Sequence, residues 1–231
     1  MKMSSEKIKV AVIVGGHHYP VFPMHELFDR MPDVYPYFMN LETMCYSGYS
    51  KFDAFLFYNR DQWPFYESTP ETPKLLKRQI DMIHERTEAG LEHMVKNGQG
   101  IFVLHHAMHC FLFPKPDPRW GQILNMHNFM YRNVSMSDVH TEIANPDHPI
   151  TRGLEAWDMK DEVLLMDDPN EGSDILLTTD NPESMKVLGW THKLNDSRVF
   201  CYQSGHSGNT LLSPNVSTII HRGIQWITGN I

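Results

Sequence analysis

The sequence predicts an α/β protein with parallel strands, because short buried strands alternate with amphipathic helices along its first hundred residues. Residues 8–14 form a β-branched and almost continuous apolar run that ends in two glycines, which is typical of a strand buried on both faces. Residues 52–58 and 100–104 are runs of the same kind. Strands that alternate with helices in this order are joined by right-handed crossovers and lie parallel.

Two helices are predicted in the first half of the chain. Pro23 opens the first one over residues 24–30, since proline is tolerated in the first helical turn. The longer helix covers residues 73–96, and Asn97 and Gly98 end it because both residues accept the left-handed C-cap conformation. Its predicted buried face repeats every three or four residues, at Leu76, Ile80, Ile83, Thr87, Leu91 and Met94.

The second half of the chain is predicted to contain further strands and a closing helix, of which Pro214 is the first residue. An irregular stretch over residues 106–132, rich in methionine, aromatic residues and histidine, is typical of a functional loop. The strands are expected at residues 134–143, 162–166, 174–179, 186–190 and 199–203. No boundary interrupts the chain, so residues 1–231 are expected to form a single domain.

Composition and charge restrict the function classes. Of the 231 residues, 41% are hydrophobic and 21% are charged, which is typical of a globular protein. The net charge of −8 and the lack of any basic run argue against a nucleic-acid or anionic-membrane partner, because phosphates require clustered lysine and arginine. No apolar stretch approaches the roughly 20 residues that cross a bilayer, and the polar N-terminus does not resemble a signal peptide. A cytoplasmic protein is therefore expected.

Cysteine usage excludes two kinds of site, and histidine usage suggests a third. Cys45, Cys110 and Cys201 are far apart, odd in number and without a C-x-x-C pair, so neither a disulfide framework nor a finger-type zinc site is expected. The 14 histidines are numerous beside a total of 20 lysines and arginines. Because imidazole binds metals and carries protons near neutral pH, the histidines indicate where chemistry could take place.

Three loops that follow predicted strands carry histidines. His17 lies after the first strand, His105 and His106 lie after the central strand, and His206 lies after the last strand. Ligands of parallel α/β sheets bind at the carboxyl ends of the strands, so a shared site is expected there. The glycines that flank His17 and His206 allow the backbone to approach a ligand closely. The structural alternative is that a histidine after a strand simply caps it.

Two acidic candidates join these histidines, Glu162 in the pair Asp161-Glu162 and Asp158. Glu162 opens a later strand, where a carboxylate beside imidazoles would be a metal ligand or a general base. A solvated turn accounts for Glu162 equally well. Asp158 lies just before the same strand and is assigned to such a turn.

Several short blocks resemble the trehalose-utilization family, the ThuA-like proteins. The shared motifs include the LHHA segment after the central strand, an HPIT-GL…DE block, a WTH…GRVFY block and a terminal GH pair. They occur in the family's order, at residues 15–17, 101–107, 148–154, 161–162, 190–192, 198–202, 205–206 and 222–226.

The resemblance implies a flavodoxin-like fold of the class I glutamine-amidotransferase-like type, a single three-layer α/β domain with a mostly parallel central sheet. In true amidotransferases the central strand ends in a strained elbow that bears a nucleophilic cysteine. Here His105 follows that strand, and Cys110 lies five residues further on, too far to occupy the turn. A glutaminase is therefore not expected.

The resemblance also implies a role in carbohydrate metabolism, often beside an NAD-dependent sugar oxidoreductase. Together with the histidine-rich edge, it predicts a metal-assisted enzyme that isomerises, eliminates from or hydrolyses a sugar or keto-sugar. Zinc is the expected divalent metal, with manganese, iron or nickel as alternatives. A non-catalytic sugar-binding or regulatory module is the alternative from another class, and a homo-oligomer is left open for either.

Each predicted role is assigned to specific residues. His206, Glu162 and His105 are the candidate catalytic residues. The candidate metal ligands, of which three or four are expected to bind, are His17, His106, His192, His206 and Glu162. The candidate substrate-binding residues are Tyr19, His109, Trp120, Tyr131 and Trp190. The aromatic residues among them are expected to stack on sugar faces, although Trp190 could equally belong to the core.

Overall fold

The computed structural model describes residues 6–61, 70–112 and 116–231. Within these ranges it contains nine strands, six α-helices and two short 3-10 helices, at Tyr49–Lys51 and His105–His109. The strands are β1 (Ile8–Gly15), β2 (Val34–Met39), β3 (Ala54–Asn59), β4 (Gly100–Leu104), β5 (Asn133–Ile143), β6 (Trp157–Leu165), β7 (Asp174–Thr178), β8 (Val187–Leu194) and β9 (Ser197–Tyr202). The helices are α1 (Val21–Asp29), α2 (Leu41–Ser47), α3 (Lys74–Lys96), α4 (Pro118–Leu124), α5 (Gly208–Leu212) and α6 (Pro214–Ile227).

The strands of the described ranges form one sheet in the order β2-β1-β3-β4-β9-β8-β7-β5-β6. Five neighbouring strands, β2, β1, β3, β4 and β9, are parallel to one another. The remaining pairs, β9 with β8, β8 with β7, β7 with β5 and β5 with β6, are antiparallel. The α/β class is therefore confirmed, with a sheet that is mixed rather than purely parallel. Only Asn195 and Asp196 connect β8 to β9, and so short a connection permits only an antiparallel pair.

Helices cover both faces of the sheet, which confirms the three expected layers. One face packs with α1, α5 and α6 and carries Val10 and Val12 of β1. The other face packs with α2, α3 and α4 and carries Ala11 and Ile13 of the same strand. Successive side chains of a strand point to opposite faces, and all four of these are fully buried. The continuous apolar run of β1 thus reflects a strand that is covered on both sides.

The two best-defined helix predictions are confirmed. The long helix is α3, followed by Asn97 and by Gly98 with a left-handed φ of +66°. Its buried face starts at Ile80, since Leu76 near the helix start is half-exposed. The closing helix, α6, begins at Pro214. None of the helices in the described ranges combines the length and the apolar character needed to cross a bilayer.

The sequence does not predict β2, α2, α4 or α5, and it begins β6 too late. β2 contains Pro36, which cannot donate to a ladder hydrogen bond and so argues against a strand. The proline is tolerated because β2 lies at the edge of the sheet. β6 starts at Trp157, which places Asp158 in the strand instead of in a turn. The Asp158 carboxylate is exposed and contacts Nδ1 of His140 at 2.7 Å.

The packing of α6 on the sheet requires a glycine at position 223. A Cβ atom there would lie 2.5 Å from a ring carbon of Phe200 in β9. Gly223→Ala is therefore expected to lower the free energy of unfolding by about 1–3 kcal/mol, although alanine favours a helix. Urea unfolding measures this, with Thr218→Ala in the same helix as the control, expected to change by less than about 0.5 kcal/mol. Equal stability of both variants would contradict the packing described.

Candidate functional site

The loops that carry the predicted histidines lie close together at the carboxyl edge of the parallel strands. In the sheet, β1 and β4 are separated only by β3, and β4 is a direct neighbour of β9. Leu104 at the end of β4 pairs with Tyr202 at the end of β9. His105 follows β4 directly, His206 follows β9 after a short loop, and His17 follows β1. The fold thus brings these loops to the edge where ligands bind in parallel sheets.

Three side chains bring their polar atoms together at this edge. Nε2 of His105 lies 3.1 Å from Nδ1 of His206. Oε1 of Glu162 lies 3.4 Å from each of these two nitrogens. Among the residues that the structure describes, these are the histidine and carboxylate side chains placed closely enough to share one metal ion. We call His105, Glu162 and His206 the His–Glu–His cluster.

His105 is held in one orientation by the backbone around it. Its φ of +51° is a left-handed value that is uncommon outside glycine, and the residue is fully buried. Nδ1 of the ring donates to the carbonyl oxygen of Gln203 at 2.7 Å. A neutral ring with its proton on Nδ1 keeps its lone pair on Nε2, the atom that faces His206 and Glu162. His105 thus occupies a strained turn directly after the central strand.

Asp161, the residue before Glu162, anchors the His206 loop to β6. Its carboxylate accepts the backbone N–H groups of Gly205 at 2.7 Å and of His206 at 3.2 Å. It also accepts the hydroxyl of Thr210 at 3.2 Å. The side chain is fully buried. The sequence assigns Asp161 no role of its own, because its backbone partners lie 44 and 45 residues away along the chain.

The members of the cluster shift one another's protonation. Burial alone would raise the pKa of Glu162, but the neighbouring His105 and His206 outweigh burial and hold that pKa well below its usual value. Glu162 in turn raises the pKa of His206, against the lowering effect of burial. Glu162 is therefore a carboxylate at neutral pH, and it can act as an anionic ligand or pair with a protonated His206.

His17 and His106 lie beside the cluster rather than in it. The ring centroid of His106 is 5.0 Å from that of His105 and 4.8 Å from that of His17. Nε2 of His106 donates to the carbonyl oxygen of Tyr58 at 3.1 Å, and Nδ1 is buried with no hydrogen-bond partner in the described ranges. Burial, together with His105 and His17, lowers the pKa of His106 to about 2, so this ring stays neutral at physiological pH.

The structure does not bring His192 to the cluster. It lies in β8 opposite Val199 of β9, and Val199 also pairs with Ile101 of β4. The cluster lies beyond Leu104, three residues or roughly 10 Å further along the strand. Nε2 of His192 donates instead to the carbonyl oxygen of Ile123 at 2.8 Å. The physical reason is that β8 runs antiparallel to β9, so its later residues lie progressively further from the carboxyl edge.

Two of the predicted aromatic residues, and His109, lie at the site edge. The ring of Tyr131 stacks on that of His109, with centroids 4.3 Å apart. Tyr19 meets Tyr58 edge-on at 6.4 Å. Tyr19 and Tyr131 are both partly exposed.

Trp120 and Trp190 lie in the core, contrary to their predicted role in binding a sugar. Both side chains are fully buried. The indole N–H of Trp120 donates to the carbonyl oxygen of Ala107 at 3.2 Å, and that of Trp190 donates to the carbonyl oxygen of Leu124 at 2.9 Å. For Trp190 the core alternative is the one observed. Sequence alone does not distinguish an aromatic residue that binds a ligand from one that packs in the core.

The sequence passes over two residues at the carboxyl end of β3. The hydroxyl of Tyr58 donates to the carbonyl oxygen of Gly205 at 2.6 Å, which ties the His206 loop to β3. Nη2 of Arg60 donates to the hydroxyl of Tyr131 at 3.2 Å. The strand itself is predicted, but the histidine pattern does not include it. The signal that could have found both residues is their position at the end of a predicted parallel strand.

The cysteines are placed as structural residues. All three are buried, and Sγ of Cys110 donates to the carbonyl oxygen of Asn59 at 3.2 Å. Burial raises the pKa of the Cys110 thiol well above its usual value, while His105 occupies the turn after the central strand. We expect no thiol to react with Ellman's reagent in the folded protein and three to react in urea. A fast-reacting thiol in the folded protein would refute this placement.

Comparison with known proteins gives a family and a set of similar folds. The family model described as trehalose utilisation matches residues 55–227. No curated protein matches the sequence. Among solved structures, a ThuA-like protein from Parabacteroides merdae ATCC 43184 is 17% identical, with 97% of this chain and 91% of that chain covered and a TM-score of 0.73. A ThuA-like protein from Bacteroides uniformis ATCC 8492 is 13% identical, with 98% and 94% covered and a TM-score of 0.72.

A cytoplasmic protein from Salmonella typhimurium is a third similar structure, 14% identical, with 94% of this chain and 98% of that chain covered and a TM-score of 0.64. At these identities the structural likeness shows the fold alone. The family model spans three quarters of the sequence, from β3 to the end of α6, and includes the whole His–Glu–His cluster. This chain therefore belongs to the trehalose utilisation (ThuA) family.

Proposed function

We propose that this chain is an enzyme that acts on a sugar or an oxidised (keto) sugar with the help of a divalent metal. The observation that carries the proposal is the convergence of two imidazoles and one carboxylate within 3.4 Å at the carboxyl edge of the sheet. Membership in the trehalose utilisation family supports a carbohydrate as the substrate class. An NAD-dependent sugar oxidoreductase is the class of enzyme that would supply a keto-sugar.

The His–Glu–His cluster fits a metal in its chemistry and its spacing. Two histidines and one glutamate form the ligand set of several catalytic zinc sites, which keep a fourth position for water or substrate. Ligand atoms bound tetrahedrally to zinc lie about 3.3 Å from one another, close to the separations of 3.1 and 3.4 Å found here. The bond from His105 to the Gln203 carbonyl is the kind of outer contact that orients a ligating imidazole. Manganese, iron and nickel are alternatives to zinc.

When bound, the metal would polarise a carbonyl or hydroxyl oxygen of the sugar. Residues of the chain itself would carry out the proton transfer. His17 at the rim has its pKa lowered by burial, and its Nδ1 donates to the carbonyl oxygen of His18 at 2.6 Å. Nε2 of His17 is thus an acceptor for a proton taken from the carbon next to the sugar carbonyl. Isomerisation and elimination both begin with such a transfer.

Without a metal, the same cluster supports acid–base chemistry. Nδ1 of His206 lies 3.4 Å from the carboxylate of Glu162, which raises the pKa of the imidazole. The pair can donate a proton to a leaving oxygen and recover it from water, as hydrolysis requires. This second candidate mechanism uses the same residues and the same class of substrate, and it differs in its response to chelators.

Uncharged rings around the cluster suit a ligand rich in hydroxyl groups. Burial, together with His105 and Arg60, lowers the pKa of His109 to about 3, so this ring is neutral. Neutral imidazoles offer a donor and an acceptor nitrogen. Tyr19 and Tyr131 add partly exposed aromatic faces at the same edge.

The test is turnover of a panel of sugars and keto-sugars, followed by NMR, with zinc-loaded and chelator-treated protein that carries no His tag. We expect turnover to depend on the metal and to fall by about two or more orders of magnitude in His206→Ala. The melting temperature of this variant should stay near that of the wild type, because His206 lies in a partly exposed loop.

One outcome would overturn the proposal, and a second would remove His206 from the mechanism. Sugar binding without turnover by the loaded wild type would favour the non-catalytic binding or regulatory module. A destabilised but fully active His206→Ala would give His206 a structural role only.

A further inference from the structure

Arg60 is fixed beside the first histidine loop by its backbone. It directly follows β3, and its N–H donates to the carbonyl oxygen of Gly15 at 3.0 Å. A Cβ atom on Gly16 would lie 2.7 Å from the carbonyl carbon and oxygen of Arg60. Gly16 therefore allows a close contact that a larger residue would prevent. The contact places Arg60 next to His17, at the carboxyl edge of the sheet.

The side chain of Arg60 reaches towards the other elements of the site. Nη2 donates to the hydroxyl of Tyr131 at 3.2 Å, and the guanidinium carbon lies 5.9 Å from the centroid of that ring. Tyr131 stacks in turn on His109. After burial, the charge of Arg60 is among the effects that lower the pKa of both His17 and His109. The guanidinium thus lies at the same edge as the cluster.

This guanidinium has no carboxylate within 4 Å in the part of the chain that the structure describes. Arg119, by contrast, is paired with Asp117 at 2.9 Å and with Glu88 at 2.6 Å. The chain carries 28 acidic residues against 20 basic ones, so acidic partners are plentiful. A partly buried cation without a counter-ion carries a desolvation cost, and a bound anion would offset that cost. The acidic Glu162 is already compensated by His206.

We propose that Arg60 binds an anionic group, a carboxylate or a phosphate, on the sugar that this site takes. The inference rests on the proposed function and narrows its substrate class to sugar acids or sugar phosphates. The planar guanidinium presents paired N–H donors that match the oxygens of either group. Tyr131 is a positioning residue, since its hydroxyl holds one Nη of Arg60.

Calorimetric titration of metal-loaded and chelator-treated protein tests this inference. The probes are glucose, gluconate, glucuronate, glucose 6-phosphate, malonate and inorganic phosphate. We expect the wild type to bind at least one anionic sugar about tenfold or more tightly than glucose, in both metal states. Arg60→Gln should remove this preference, and Arg60→Lys should restore part of it. Comparison of the carboxylate and phosphate probes identifies which anion is preferred.

Arg132→Gln is the matched control, because Arg132 lies next to Tyr131 but is exposed and paired with Asp167. It should retain the anion preference in full. No anion preference in the wild type, or an equal preference in Arg60→Gln, would overturn the inference. A third outcome would separate the two proposals. If no sugar is turned over, but the wild type prefers anionic sugars and Arg60→Gln does not, the proposed function is rejected and the anion site remains supported.

Discussion

Replacement of Glu162 by glutamine is expected to weaken zinc binding by more than about a hundredfold, with a matching loss of turnover. The reason is that glutamine cannot supply the negative charge and the strong donor oxygen that complete the His–Glu–His cluster. Loss of an outer contact of a metal site already lowers the metal affinity by about 10–100-fold, and Glu162 is proposed as a direct ligand. Competition with a chromophoric chelator measures the affinity. His105→Ala and His206→Ala should behave alike.

The control for these variants is His192→Ala. This variant also removes the imidazole of a residue that the sequence predicts as a metal ligand. His192, however, lies away from the cluster, where it donates to the carbonyl oxygen of Ile123. Its zinc affinity should therefore equal that of the wild type. Stoichiometric zinc of unchanged affinity in Glu162→Gln would exclude the cluster as the metal site, and so would a loss of zinc in His192→Ala.

Asp161→Asn is expected to lower the free energy of unfolding by about 3 kcal/mol and to weaken zinc binding at the same time. The fully buried carboxylate of Asp161 accepts two backbone N–H groups from the His206 loop and the hydroxyl of Thr210 in α5. An amide at this position must turn its NH₂ group towards at least one of these donors, which leaves buried polar groups unpaired. Urea unfolding and chelator competition measure the two effects.

Asp158→Asn provides the matched control on the same strand. Its carboxylate is exposed and pairs with His140 of the neighbouring β5, and surface pairs of this kind contribute little. We expect a change in stability below about 0.5 kcal/mol and an unchanged zinc affinity. If Asp161→Asn were as mild as Asp158→Asn, the loop would not depend on β6 for its position.

The parallel half of the fold was accessible from the sequence because its strands are buried on both faces. A continuous apolar run such as that of β1, or of β4, strongly indicates a buried strand when it is short and bounded by glycine. β2 was not accessible, since the proline that an edge strand tolerates also argues against a strand. The antiparallel half was predicted as a set of strands without their order in the sheet, because that order depends on pairings between distant segments.

The site was predictable to the extent that it follows strand ends. The positions of His105 and His206 after β4 and β9 indicate a shared site, and the structure places Nε2 of His105 3.1 Å from Nδ1 of His206. The sequence favours a ligand and a solvated turn equally for Glu162, because this residue reaches the cluster from β6 in the distant half of the sheet. The sequence assigns no role to Asp161, because its contacts with the distant His206 loop are encoded by no local pattern. It assigns none to Arg60 either, although Arg60 directly follows a predicted parallel strand.

The position of a bound metal can be measured independently of any substrate. Crystals of protein without a His tag, grown with zinc, allow diffraction data to be collected on both sides of the zinc absorption edge. We predict one strong anomalous peak about 2.0–2.2 Å from Nε2 of His105, Nδ1 of His206 and the carboxylate of Glu162. No peak at the cluster under saturating zinc, or a strong peak only beside His17 and His18, would contradict the site described for this family member.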